Sequence, residues 1–127
     1  MQGLGLHIRN IVVLPIISGA IFAVMHFGNP EMAVTSEFWL LAASYFLIGV
    51  FAGFITLLDG GLELALGLHA ANNIYTALVA NYTVSALPSP SIFTVNELDP
   101  FYGIISLIIG LIVFYLLVFQ IFPKFQT

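Results

Sequence analysis

The chain has 127 residues, 61% of them hydrophobic and 6% charged, with a formal net charge of -4 and a mean hydropathy of +1.11. A soluble domain carries about 25% charged residues, and a fold this small cannot bury so much apolar surface in one core, so a water-soluble globule is excluded. Only Arg9 and Lys124 are basic, which excludes an electrostatic nucleic-acid binder, and the lack of cysteine removes disulfides, thiol nucleophiles and thiolate metal sites.

A helix crossing a hydrocarbon layer of about 30 Å needs about 20 mostly apolar residues. Four stretches meet that length: 10–28, 38–58, 62–82 and 101–122. The expected fold is therefore all-α, a polytopic transmembrane helical bundle of about four spans in a single membrane domain over 1–127, because backbone groups in lipid must be satisfied within each segment. Residues 1–9 precede the first span, with His7 beside Arg9 as a solvated interfacial residue. Asn29-Pro30 stops that span, since proline cannot continue the helical ladder. Asp59-Gly60-Gly61 predicts a tight turn between the second and third spans. Pro88 and Pro90 break the chain after the third, and Asp99-Pro100 reads as an N-cap followed by proline at the first helical position.

Both basic residues are terminal, while the loops 29–37 and 83–100 carry Glu31, Glu37, Glu97 and Asp99. The positive-inside rule places both termini in the cytoplasm, with Trp39, Tyr82 and Tyr102 as an aromatic belt at the outer interface. Gly49-Val-Phe-Ala-Gly53 is a GxxxG pattern, Gly67 and Ala71 form a small-xxx-small pair, and Gly103 and Gly110 mark where the last span meets a neighbour. Asn81-Tyr-Thr83 matches a glycosylation sequon, a three-residue pattern frequent by chance.

Ionisable and amide side chains are costly at membrane depth and face a bundle interior or a wet cavity. Phe22-Ala-Val-Met-His26 puts Phe22 and His26 one turn apart, and His69-Ala-Ala-Asn-Asn73 does the same for His69 and Asn73. Imidazole can ligate a metal, move a proton or donate to an oxyanion, and Asn73 can donate an amide hydrogen bond to developing negative charge. The bland reading is interhelical hydrogen bonding without chemistry. With straight full-length spans, His26 lies about 24 Å from its end of the membrane and His69 about 10 Å, too far apart to meet. Opening the first helix at Pro15, with 6–14 along the interface, shortens the first distance to about 17 Å. Convergence therefore requires a short first helix and a following loop that dips inward.

These residues resemble the CAAX protease and bacteriocin-processing (CPBP) intramembrane peptidases, also called Abi or type II CAAX-processing proteases. The FxxxH motif is Phe22 to His26, continuing as Phe27-Gly28-Asn29-Pro30-Glu31, and the HxxxN motif is His69 to Asn73, approached by Asp59-Gly60-Gly61-Leu62-Glu63. The resemblance implies an endopeptidase that cleaves peptide bonds of CAAX-type proteins or bacteriocin-type peptides within the membrane by attack of water. It assigns catalytic roles to His26, His69 and Asn73, with Phe22 supporting the motif. It also implies His26 and His69 as ligands of a divalent metal such as zinc, a metal-free mechanism being the alternative. The partners implied are membrane lipid and a peptide or protein substrate, no nucleic acid, in a bacterial or archaeal plasma membrane. Family members carry an EExxxR motif upstream, whose glutamate is taken as the base; no Glu-Glu pair stands in this sequence. The chain is thus expected to correspond to the C-terminal part of such a protease and to be feeble or inactive alone. The rival readings are a non-catalytic scaffold or immunity protein of the same fold, and a small dimeric four-helix transporter, which lacks the carboxylate inside a span that proton coupling requires.

Overall fold

The computed structural model describes residues 10–122. His7, Arg9 and Lys124 lie outside them, so the orientation expected from the two basic charges is a statement of the sequence alone.

The architecture is an all-α bundle. Helix α1 spans Val13–His26, the short α2 spans Pro30–Val34, α3 spans Phe38–Asp59 and α4 spans Glu63–Leu78. A pair of three-residue strands, β1 (Ala80–Tyr82) and β2 (Phe93–Val95), precedes α5 (Pro100–Tyr115), which runs on as a π-helical turn through Leu116–Ile121. Two segments, Phe38–Asp59 and Pro100–Ile121, are long and apolar enough to cross a membrane. The first and third expected spans are shorter as helices, 14 and 16 residues, or about 21 and 24 Å at 1.5 Å per residue.

Local chemistry sets these ends. The Asn10 side chain accepts from the backbone N–H groups of Val12 and Val13 at 2.9 and 3.1 Å, so the first helix is opened by an asparagine cap. Pro15 falls inside the first turn, where its missing N–H costs nothing, and the helix starts two residues before the expected point. Gly60 ends α3 at φ +76°, a left-handed conformation that glycine adopts without strain, and its N–H returns to the Thr56 carbonyl at 3.0 Å. Asp99 caps α5 as its position predicts, its Oδ1 accepting from Phe101 and Tyr102 N–H.

The third expected span is cut at Leu78. Residues 80–82 leave the helix and pair in parallel with 93–95, Ala80 opposite Phe93 and Tyr82 opposite Val95. Ser89 Oγ donates to the Ala77 carbonyl at 2.6 Å and Asn81 Nδ2 to the Leu87 carbonyl at 2.8 Å, folding the loop back over the helix ends. Asn81 is buried, 3% exposed. Tyr82 likewise turns inward and leaves the expected aromatic belt, whereas Trp39 and Tyr102 stay exposed at the starts of α3 and α5.

Helix α1 packs chiefly on α3, and α4 and α5 pack on α3 from other sides. The α1–α3 crossing is a backbone contact. A Cβ added at Gly49 would lie 2.9 Å from Gly19 Cα, one at Gly53 2.9 Å from Pro15 Cα, and one at Gly19 2.8 Å from the Phe46 carbonyl oxygen. The GxxxG pattern therefore seats the first helix. Gly67 and Gly110 meet nothing within 4 Å, and Gly103 is approached only by Leu98 at 4.0 Å; their expected packing role is not seen among the described residues.

Gly49→Ala is expected to destabilise the bundle by about 1–3 kcal/mol despite alanine's better helix propensity. Gly67→Ala should instead be neutral or stabilising by up to about 1 kcal/mol. Unfolding of both variants in detergent micelles checks the contrast.

Candidate active site

The chain that follows the first histidine does not leave the bundle. After His26 it turns through Phe27–Gly28, the Asn29 N–H returning to the His26 carbonyl at 3.0 Å, and Pro30 starts α2. Glu31 and Met32 are then buried, 3% and 4% exposed. This is the inward dip that convergence of the histidines requires. Met32 packs with Leu41 and Ala42 of α3, against which Phe38, Tyr45 and Leu98 lie.

The two histidines meet. Their ring centroids are 6.2 Å apart, and Phe22 bridges them, stacked on His26 at 4.2 Å and edge-on to His69 at 5.2 Å. On its other face His26 stacks on Tyr45 at 4.5 Å. The Phe22 of the motif is thus a wall for both imidazoles. A cavity of about 210 Å³ is lined by Phe22, His26, His69 and Asn73, so the four residues singled out by the motifs share one space.

The tautomer of His26 follows from its partner. Nδ1 lies 2.6 Å from the Phe22 carbonyl oxygen, and a carbonyl can only accept, so Nδ1 carries the proton. In the neutral ring Nε2 then holds the lone pair. This nitrogen can accept a proton from water.

Sequence reasoning missed the other half of the cavity. Asn72 and Thr76 also line it. With His69 and Asn73 they form an i, i+3, i+4, i+7 stripe along α4, a spacing visible in the sequence. Glu31, Tyr45, Tyr82 and residues 85–87 complete the wall. Glu31 was expected in an outer loop with no carboxylate inside the bundle; the inward turn at Asn29-Pro30 buries it instead. Its Oε1 accepts from Asn29 Nδ2 at 3.0 Å and from the Tyr45 hydroxyl at 2.5 Å, and its Oε2 accepts from the Ala86 N–H at 2.9 Å. Beyond the end of α4, burial first and the neighbouring Glu31 carboxylate second push the Tyr82 phenol up to about 12, so its O–H stays on. Glu31 and Tyr82 also line a second cavity of about 420 Å³ that includes Thr35, Thr83 and Glu97.

The donor set bears on the implied metal. Among the described residues, no three His, Cys, Asp or Glu side chains form a metal-holding group, whereas a catalytic zinc takes three protein ligands plus water. His26 and His69 fall one short, and the carboxylate in the cavity is engaged by hydrogen bonds.

The apolar bundle thus brings two imidazoles and a carboxamide to one polar-lined cavity. Residues 1–75 match the family model described as Type II CAAX prenyl endopeptidase Rce1-like, and the chain belongs to that family. It is also 34% identical over 101 residues to the uncharacterized protein YyaK of Bacillus subtilis (strain 168), an alignment covering 79% of this chain and 33% of that protein. The chain therefore spans about a third of the length of this relative. No solved structure matches. The family is one of membrane proteins, in accord with the two long apolar helices.

Nitrogen NMR of the histidine side chains checks the site's geometry. Neutral His26 is expected to show a protonated Nδ1 and an unprotonated Nε2; the reverse pattern contradicts the Phe22 carbonyl contact.

Proposed function

We propose that this chain supplies the imidazole and amide groups of a CAAX-type intramembrane endopeptidase. The observation that carries the reading is the 6.2 Å approach of His26 and His69 in a cavity that Asn73 also lines. The substrates are membrane-held peptides: prenylated CAAX proteins or bacteriocin-type precursors. Water bound at His26 Nε2 attacks the scissile carbonyl carbon and gives up a proton as the new C–O bond forms. Asn73 Nδ2–H and a His69 N–H donate to the oxygen as it becomes negative, a contribution that one such donor makes at about 10²–10³ in rate. Collapse of the tetrahedral intermediate breaks the C–N bond, and the departing amine takes up the proton. Phe22 and Tyr45 hold the His26 plane throughout.

The proton needs an acceptor. A positioned base contributes about 10²–10⁴ in rate, and the family's Glu-Glu pair is absent from these residues. Among the described residues His26 Nε2 offers that acceptor. A second reading is a non-catalytic scaffold or immunity protein of the same fold.

Chemical rescue separates the two. In liposomes containing a fluorogenic prenylated CAAX peptide, the 127-residue chain is expected to cleave near background, and added formate, a mobile carboxylate, to raise the rate. His26→Ala and Asn73→Ala should each abolish that gain by about 10² or more. A chain that neither binds the peptide nor responds to formate supports the scaffold and overturns the peptidase reading.

A further inference from the structure

Resting on the reading of this cavity as the peptidase site, we propose that Glu31 is a positioning residue of that site. Its carboxylate ties α2, the Tyr45 hydroxyl and the wall at Ala86 into one unit that holds the His26 ring, and it does not serve as the base that activates water.

Glu31 is the one carboxylate lining the histidine cavity, so it is the obvious candidate for the missing base. Its surroundings assign it otherwise. A carboxylate offers about four lone-pair sites on two oxygens. Asn29 Nδ2 and the Tyr45 hydroxyl take Oε1, and the Ala86 N–H takes Oε2. All of these are donors and they engage both oxygens, so an attacking water would have to compete for the single lone-pair site left on Oε2. Glu31 is also buried as a whole residue, 3% exposed. Three hydrogen-bond donors offset the cost of burying its oxygens.

The donors come from distant points along the chain. Ala86 is 55 residues from Glu31 and Tyr45 is 14. One side chain therefore fixes the loop that closes the cavity and the tyrosine that backs the histidine. Hydrogen bonds to an ionised acceptor are about twice as strong as neutral ones. The Tyr45 ring, anchored through its hydroxyl, stacks on His26 at 4.5 Å while Phe22 stacks on the other face at 4.2 Å. Release of the hydroxyl frees one jaw of that clamp.

The test uses the full chain in nanodiscs and reads the Ala86 amide by hydrogen exchange and the His26 ring by NMR. In Glu31→Gln, the new amide group sets a donor where donors already point. Ala86 protection is expected to fall about tenfold or more, the factor set by loss of a hydrogen bond to a charged group, and the His26 ring signals to move downfield as stacking loosens. Tyr45→Phe keeps the aromatic ring and should move the His26 signals in the same direction while sparing the Ala86 amide. The double variant should displace His26 no further than Glu31→Gln alone, since the two share one link. If Glu31→Gln fails to fold, Tyr45→Phe decides the point by itself. Unmoved His26 signals in the folded variants overturn the proposal. So does a Glu31→Gln chain that loses its unstimulated cleavage and regains it on addition of formate while His26 and Ala86 keep their signatures, because that outcome makes Glu31 the base. These spectroscopic readouts stand whether or not the chain cleaves peptides, so failure of the peptidase reading is seen separately.

Discussion

Everything at the site depends on how closely α1 and α3 approach. Gly19, Gly49 and Gly53 let the two backbones touch where a single methyl group would collide. That contact sets Phe22 and His26 against α3, with Tyr45 stacked on the outer face of the imidazole. In lipid there is no hydrophobic drive between helices, so close packing of small residues supplies the association. A bulkier residue at the crossing would move His26 away from Tyr45 and from His69 together.

The second constraint is length. A 14-residue helix cannot traverse a layer of about 30 Å, so the chain after His26 turns back within the bundle. A polar segment buried this way must satisfy its own hydrogen-bonding groups. Asn29, Glu31 and Tyr45 do so for one another, and the Ala86 amide closes the set from the far loop. The polar network is therefore the physical condition for having a cavity at membrane depth. It surrounds the histidines with groups that hold their positions before any substrate arrives.

Much of this was legible in the residues. Hydropathy gave the long helices, the Asp59-Gly60-Gly61 and Asp99-Pro100 signals gave their turns and caps, and the depth of His26 against His69 demanded a short first helix. The start of that helix was misplaced because Asn10 caps it through a side chain, a signal weaker to the eye than Pro15. The strand at 80–82 is hidden because it continues an apolar run that periodicity alone reads as helix, and the one at 93–95 because three residues within the loop 83–100 are too few to show alternation. Glu31 reads as a loop residue because a charge after Asn29-Pro30 normally marks the aqueous side, and its partners Tyr45 and Ala86 lie far along the chain. Long-range pairing of that kind has no local pattern. The stripe of Asn72 and Thr76 beside His69 and Asn73, by contrast, was available from spacing alone.

The closeness of the two imidazoles is tested most directly by cross-linking, and the absence of cysteine from the chain leaves no background. A His26→Cys/His69→Cys variant in liposomes should be bridged within the chain by a short bifunctional thiol reagent. The control pair Met25→Cys/His69→Cys, in which Met25 is 76% exposed, should not. Bridging of the control pair in preference to the histidine pair would place His26 away from His69 and contradict the site.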